Sequence, residues 1–132
     1  MAIKIQGSTI IDDDRQLTAY RESVTTANNI SGTYTVDLSS SNSFDLTIVA
    51  NTSLSFSNVA NSGIMQSATL IIRQGNTDEN LITWPASVYW SFDEEPVLVS
   101  NSAGAYDVIT LFTVDGGTTF SGAHALASVN VT

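Results

Sequence analysis

Few residues in this chain could carry chemistry, and each group has a plainer reading beside the catalytic one. Asp12, Asp13 and Asp14 could offer oxygens to Ca²⁺, which takes six to eight of them. A calcium loop uses alternate positions and a glycine at its bend, whereas these three are consecutive, so a solvated turn is expected. Asp93-Glu94-Glu95 before Pro96 offers carboxylates of the kind that cleave glycosidic bonds. A catalytic pair, however, flanks its bond from separate strands, about 5 to 9 Å apart. Three in a row read as an exposed loop. His124 is the only histidine, and histidine-based metal sites need several converging rings. No Gly-x-Ser-x-Gly elbow accompanies it. Lying between Ala123 and Ala125, it reads as a surface or interface residue. Cysteine is absent, which removes disulfides, thiolate metal sites and a thiol nucleophile together. No catalytic residue, metal or cofactor is expected.

The aromatics offer a second kind of chemistry. Trp84, Tyr89 and Trp90 lie close in sequence, and exposed aromatic rings stack on sugars, so a glycan contact is one reading. The competing one is packing, because aromatic side chains bury 150–250 Å² each and a small domain spends them on its core. Packing is preferred, with Trp84-Pro85 closing a strand and Trp90 anchoring a loop.

Composition narrows the partners. The chain has 132 residues, 4 basic and 13 acidic groups and a formal charge of −9. Neutralising nucleic-acid phosphates takes a basic footprint that Lys4, Arg15, Arg21 and Arg73 cannot supply. An anionic membrane surface repels the same charge. A hydrophobic content of 42% exceeds that of a disordered tail. No run approaches the roughly 20 apolar residues of a membrane span, and no apolar stretch of a signal peptide follows Met1.

The elements that must position these residues read as β. Tyr34, Val36 and Leu38 alternate with polar neighbours; so do Phe44, Leu46, Ile48 and Ala50, continued by Leu54 and Phe56. Period two marks half-buried strands. Residues 68–74 form another, ending at Gly75-Asn76. Residues 106–114 are apolar on both faces, predicting a central strand covered on both sides. Asp115-Gly116-Gly117 then signals a hairpin. Ala123, Ala125 and Ala127 put small side chains on one face of the last strand, inviting close approach of another sheet or subunit. Residues 1–32 differ: Ile3, Ile5, Ile10 and Ile11 suggest short strands, and Asn28-Asn29 with Ser31-Gly32 read as a joint. The expected organisation is an N-terminal extended arm (1–32) for anchoring and assembly. It precedes a 33–132 domain, an all-β antiparallel β-sandwich of jelly-roll type.

Over 33–125 the chain resembles a module of tailed-bacteriophage virion proteins, especially tail fibres and tail-associated proteins. The resemblance rests on Tyr34-Thr-Val-Asp-Leu38, Phe44-Asp-Leu-Thr-Ile48, Leu54-Ser-Phe-Ser-Asn58 and Ala68-Thr-Leu-Ile-Ile72. Its most distinctive pieces are Ile82-Thr-Trp-Pro-Ala86 with Trp90, Tyr106-Asp-Val-Ile109, and Val114-Asp-Gly-Gly-Thr-Thr-Phe120 with Gly122. The segment from Ile5 to Asp12, followed by Arg15 and Leu17, is similar to joins in phage fibres. The resemblance implies a structural role without catalysis: a homotrimer on a virion, meeting other virion proteins, made in the host cytoplasm without a signal peptide. A short fibre, a tail or baseplate adaptor, or a capsid decoration protein would fit. A host-surface glycan is the alternative partner. In this reading Ile3, Ile5, Ile10, Ile11, Ala123, Ala125 and Ala127 serve assembly, and Trp84, Tyr89 and Trp90 are the glycan candidates.

Overall fold

The alternating segments become strands. A computed structural model describes residues 3–5, 8–11, 21–99 and 101–130. Strands β1 (Ile3–Ile5) and β2 (Ser8–Ile11) pair antiparallel with one another. The main sheet runs in the order β3 (Val24–Asp37), β4 (Ser43–Ser57), β5 (Gln66–Gln74), β8 (Tyr106–Thr113), β9 (Phe120–Val129), β7 (Val88–Trp90). The two-residue β6 (Ile82–Thr83) joins it on β4. Among the described residues a single 3-10 turn, Ser91–Asp93, interrupts the β structure. The chain is all-β, as its periodicity predicts.

Strand direction differs from the antiparallel expectation. β3, β4 and β5 run parallel, as do the β4–β6 and β7–β9 pairs, while β5–β8 and β8–β9 are antiparallel. Parallel β3 and β4 are separated only by residues 38–42. A straight 14-residue strand is about 46 Å long, and five residues reach at most about 18 Å. Both strands must therefore bend. In β3 the corner lies where the register breaks, between Ala27 and Gly32, with Asn29 at φ 58° and Gly32 at φ 76°. The coil closes on itself: Thr25 Oγ1 lies 3.4 Å from Ser40 Oγ, and the Ser41 hydroxyl donates to the Ser23 carbonyl. The next turn stacks on it, Ser43 beside Val24 and Thr69 beside Ser43.

Bending brings both limbs of each strand around one core. Phe44, Leu46 and Ile48 from the first limb of β4, with Leu70 and Ile72 of β5, join Val36, Leu54 and Ile82 from beyond the corner. Ile109 and Leu111 of β8 complete that core with Phe120 of β9, whose ring lies 4.6 Å from Phe56. Alternation reports which face is buried. It does not report direction, which is why the parallel coil lies hidden in a pattern that also suits hairpins.

Two further expectations are corrected. The 32/33 boundary falls inside β3, which pairs with β4 from Val24 onward and buries Ile30 in the core; the Asn/Ser/Gly joint is a corner within a strand. β8 is covered on one face only, since Ile109 and Leu111 are buried while Phe112 is 41% exposed. The hairpin after β8 forms as expected, with Gly116 and Gly117 both at positive φ. Asp115 organises it, accepting from Thr113 Oγ1 (2.8 Å), Thr119 N (2.9 Å) and Thr119 Oγ1 (2.5 Å). These bonds, the Thr119 hydroxyl foremost, hold its carboxyl down to about 2 from an ordinary 3.8.

Removal of residues 1–32 strips Ile30 and the first limb of β3, and should lower stability by roughly 3 kcal/mol or more. Asp115 gives a pH-dependent test. The folded carboxyl binds fewer protons than the unfolded one between about 2 and 3.8. Its stabilising contribution is thus fully present above that window and lost as pH falls through it. Urea unfolding followed from pH 5 to pH 2 should show a shallower acid loss in Asp115→Asn than in the parent chain.

Candidate functional site

Asp107 is an acidic residue on the inward face of β8, at the same parity as Ile109 and Leu111, and it is fully buried. Three donors satisfy its carboxylate. His124 Nε2 and Ser128 N each lie 2.7 Å from Oδ1, and Val99 N lies 2.6 Å from Oδ2. The β8–β9 register breaks at this level, and Ser128 takes φ 52° as its N–H meets the carboxylate. One buried carboxylate thus ties β9 and the 94–99 segment to β8. Burial without these donors would be prohibitive.

His124, expected as a surface or interface residue, is half-buried and oriented by this bond. Its ring borders a cavity of about 490 Å³ between the 90–97 segment and β9. Trp90, Phe92, Pro96 and Val97 supply its apolar lining, the exposed Glu94 and Glu95 its acidic rim, and Gly122 and Ala123 its lining from β9. Gly122 is required by close approach: a Cβ there would lie 2.5 Å from Trp90 Cζ3 and 2.9 Å from Leu111 Cδ2. Trp90 is fixed from its other side by Trp84, edge to face at 5.1 Å.

The three aromatic candidates separate. Trp84 is 8% exposed and belongs to the core, so it is withdrawn as a glycan contact. Trp90 is half-buried with its ring on the cavity, and Tyr89 is exposed. Residue type alone does not single out Phe92, which is 95% exposed at φ 60° and followed by Asp93 at φ 58°. Asp107 was findable: a carboxylate sharing a strand face with Ile109 and Leu111 has to be paired. Asp93, Glu94 and Glu95 lie in an exposed loop, as expected. Among the described residues no group of three His, Cys, Asp or Glu side chains could hold a metal. Ser91 borders the cavity with His124, but no hydrogen bond joins them to make a nucleophile and base.

The assembly candidates divide likewise. Ala123, Ala125 and Ala127 are exposed on β9. Ile3, Ile5, Ile10 and Ile11 fall on β1 and β2, with their side chains outside the described residues, as is the whole of Asp12, Asp13 and Asp14. No helix among the described residues is long and apolar enough to cross a membrane.

Asp107→Ala would remove the acceptor that the Val99 and Ser128 N–H groups share. It should cost at least about 3 kcal/mol in urea unfolding, while His124→Ala, which leaves both backbone bonds in place, should cost about half as much. Comparison with protein-family models, with curated proteins and with solved structures finds no match for this chain.

Proposed function

We propose that this chain is a non-enzymatic structural protein of a tailed-bacteriophage virion. It acts as a homo-oligomer, a trimer by the resemblance, in a short fibre or a tail or baseplate adaptor, with capsid decoration as the alternative placement. The observation that carries the assembly role is the outer edge of β3, which no strand pairs among the described residues. Proteins that stay monomeric blunt such edges with lysine, proline or very short strands. β3 is 14 residues long, has neither lysine nor proline, and carries no charge before Asp37. Its Thr, Ser and Asn side chains suit hydrogen-bonded contact with another strand, the mode in which an extended segment adds to a sheet. The virion setting is supported by the motif set around Trp84-Pro85 and Asp115-Gly116-Gly117.

The test combines mass and location. Light scattering on the full chain should give a multiple of the 14.0 kDa chain mass, and the protein should remain with particles of its source phage through purification. Thr26→Lys combined with Thr33→Lys places charge along exposed β3 positions. It should reduce the mass to one chain while shifting the melting temperature by no more than a few degrees. A one-chain mass for the parent protein at high concentration, with none of it on particles, would overturn the reading.

A further inference from the structure

We propose that the cavity between the 90–97 segment and β9 is a binding site for a neutral pyranose sugar, with Phe92 as its outer stacking platform. At about 490 Å³ the cavity lies within the range of small-molecule sites. Acceptors outnumber donors among its polar side chains, the Ser91 hydroxyl serving as either. Glu94 and Glu95 present carboxylates that no described side chain engages. The His124 ring is held through Nε2 on Asp107, and in the tautomer that donates there Nδ1 keeps a lone pair. Acceptors spread around an apolar wall match a ring that carries several hydroxyl donors and one C–H face. Anions are repelled by the rim.

Phe92 supplies the independent observation. A left-handed backbone disfavours any residue with a Cβ, and strain of this kind persists where the surroundings enforce it, often at ligand clamps. Here two consecutive side-chain-bearing residues adopt it, and the first lines the cavity while its aromatic ring stays almost wholly in water. Core packing does not account for that placement; a ligand ring seated against Trp90 and covered by Phe92 does. The aromatic pair is thus Trp90 with Phe92, and Trp84 acts only by bracing Trp90.

The site is independent of the virion reading, because binding is measured on the isolated full chain. The experiment titrates ¹⁵N-labelled protein with a panel of methyl pyranosides and short oligosaccharides of gluco, galacto, manno and N-acetylhexosamine type, and in parallel with tetramethylammonium. At least one sugar should shift the amides of Gly122, Ala123 and His124 and change tryptophan fluorescence. Phe92→Ala, whose side chain takes no part in the core, should keep the parent melting temperature and weaken that sugar about tenfold; Glu94→Gln with Glu95→Gln should weaken it by a similar factor. Absence of shifts across the whole panel would overturn the proposal. So would shifts confined to other surfaces, unchanged affinity in Phe92→Ala, or a response to tetramethylammonium alone, which would make the cavity a cation site.

Discussion

A short connection between two parallel strands is the constraint from which the rest of the fold follows. Residues 38–42 cannot span a straight β3, so the chain must turn a corner inside the strand and return beside its own start. Once the first coil closes, β4 has only one place to pair, and its own corner near Asn51 carries β6 into register beside Thr52. The corners therefore decide the core. Residues before each bend and residues after it point into one interior, so side chains from both limbs share one core.

Polar bonds hold the corners, because bends expose backbone groups that no ladder satisfies. Thr52 N donates to the Leu81 carbonyl and Leu81 N to Asn51 Oδ1, joining the corner of β4 to the segment before β6. Asn76 Nδ2 reaches the Val49 carbonyl, and Asn80 Nδ2 bonds both Asn76 Oδ1 and Gln74 Oε1. Gln74, buried at the end of β5, passes the connection on through Nε2 to the Val99 carbonyl. Val99 in turn donates to Asp107, which holds His124. The link from the corner to the cavity wall is thus a continuous series of amide and carboxylate bonds. Gly75 permits it by close approach, since a Cβ there would sit 2.7 Å from Val49 Cγ1.

This division explains what was legible in the sequence. Alternation located the strands and the buried sets Phe44/Leu46/Ile48 and Ile109/Leu111, because burial on one face is a local property with period two. Asp115-Gly116-Gly117 located the hairpin because positive φ is a local demand. The parallel coil was not legible, since Asn28-Asn29 and Ser31-Gly32 carry the same turn chemistry whether the chain ends a domain or bends a strand. The cavity depends on contacts between residues far apart in sequence. Gly122 gives way to Trp90, and Asp107 meets Val99, His124 and Ser128; neither relation has a period. Phe92 could not be told from a core aromatic by its type.

The charge distribution sets the terms on which such a chain can meet itself. A formal charge of −9 opposes self-association. The only charged residue of β3 is Asp37, at its far end, and the exposed β9 alanines have no Asp, Glu, Lys or Arg beside them in that strand. In the central sheet Asp45 is neutralised by Arg73, whose guanidinium also covers the Tyr106 ring at 4.6 Å. The carboxylates at 78–79 and 93–95 lie in loops. Contact through β3 or β9 would therefore rest on backbone hydrogen bonds and small side chains, short-range terms that salt screens little. The loop carboxylates would remain outward, keeping unassembled chains apart until strand edges meet. In the proposed assembly, an acidic surface with uncharged edges would combine repulsion between free chains with adhesion in one direction, leaving the acidic rim of the cavity facing solvent.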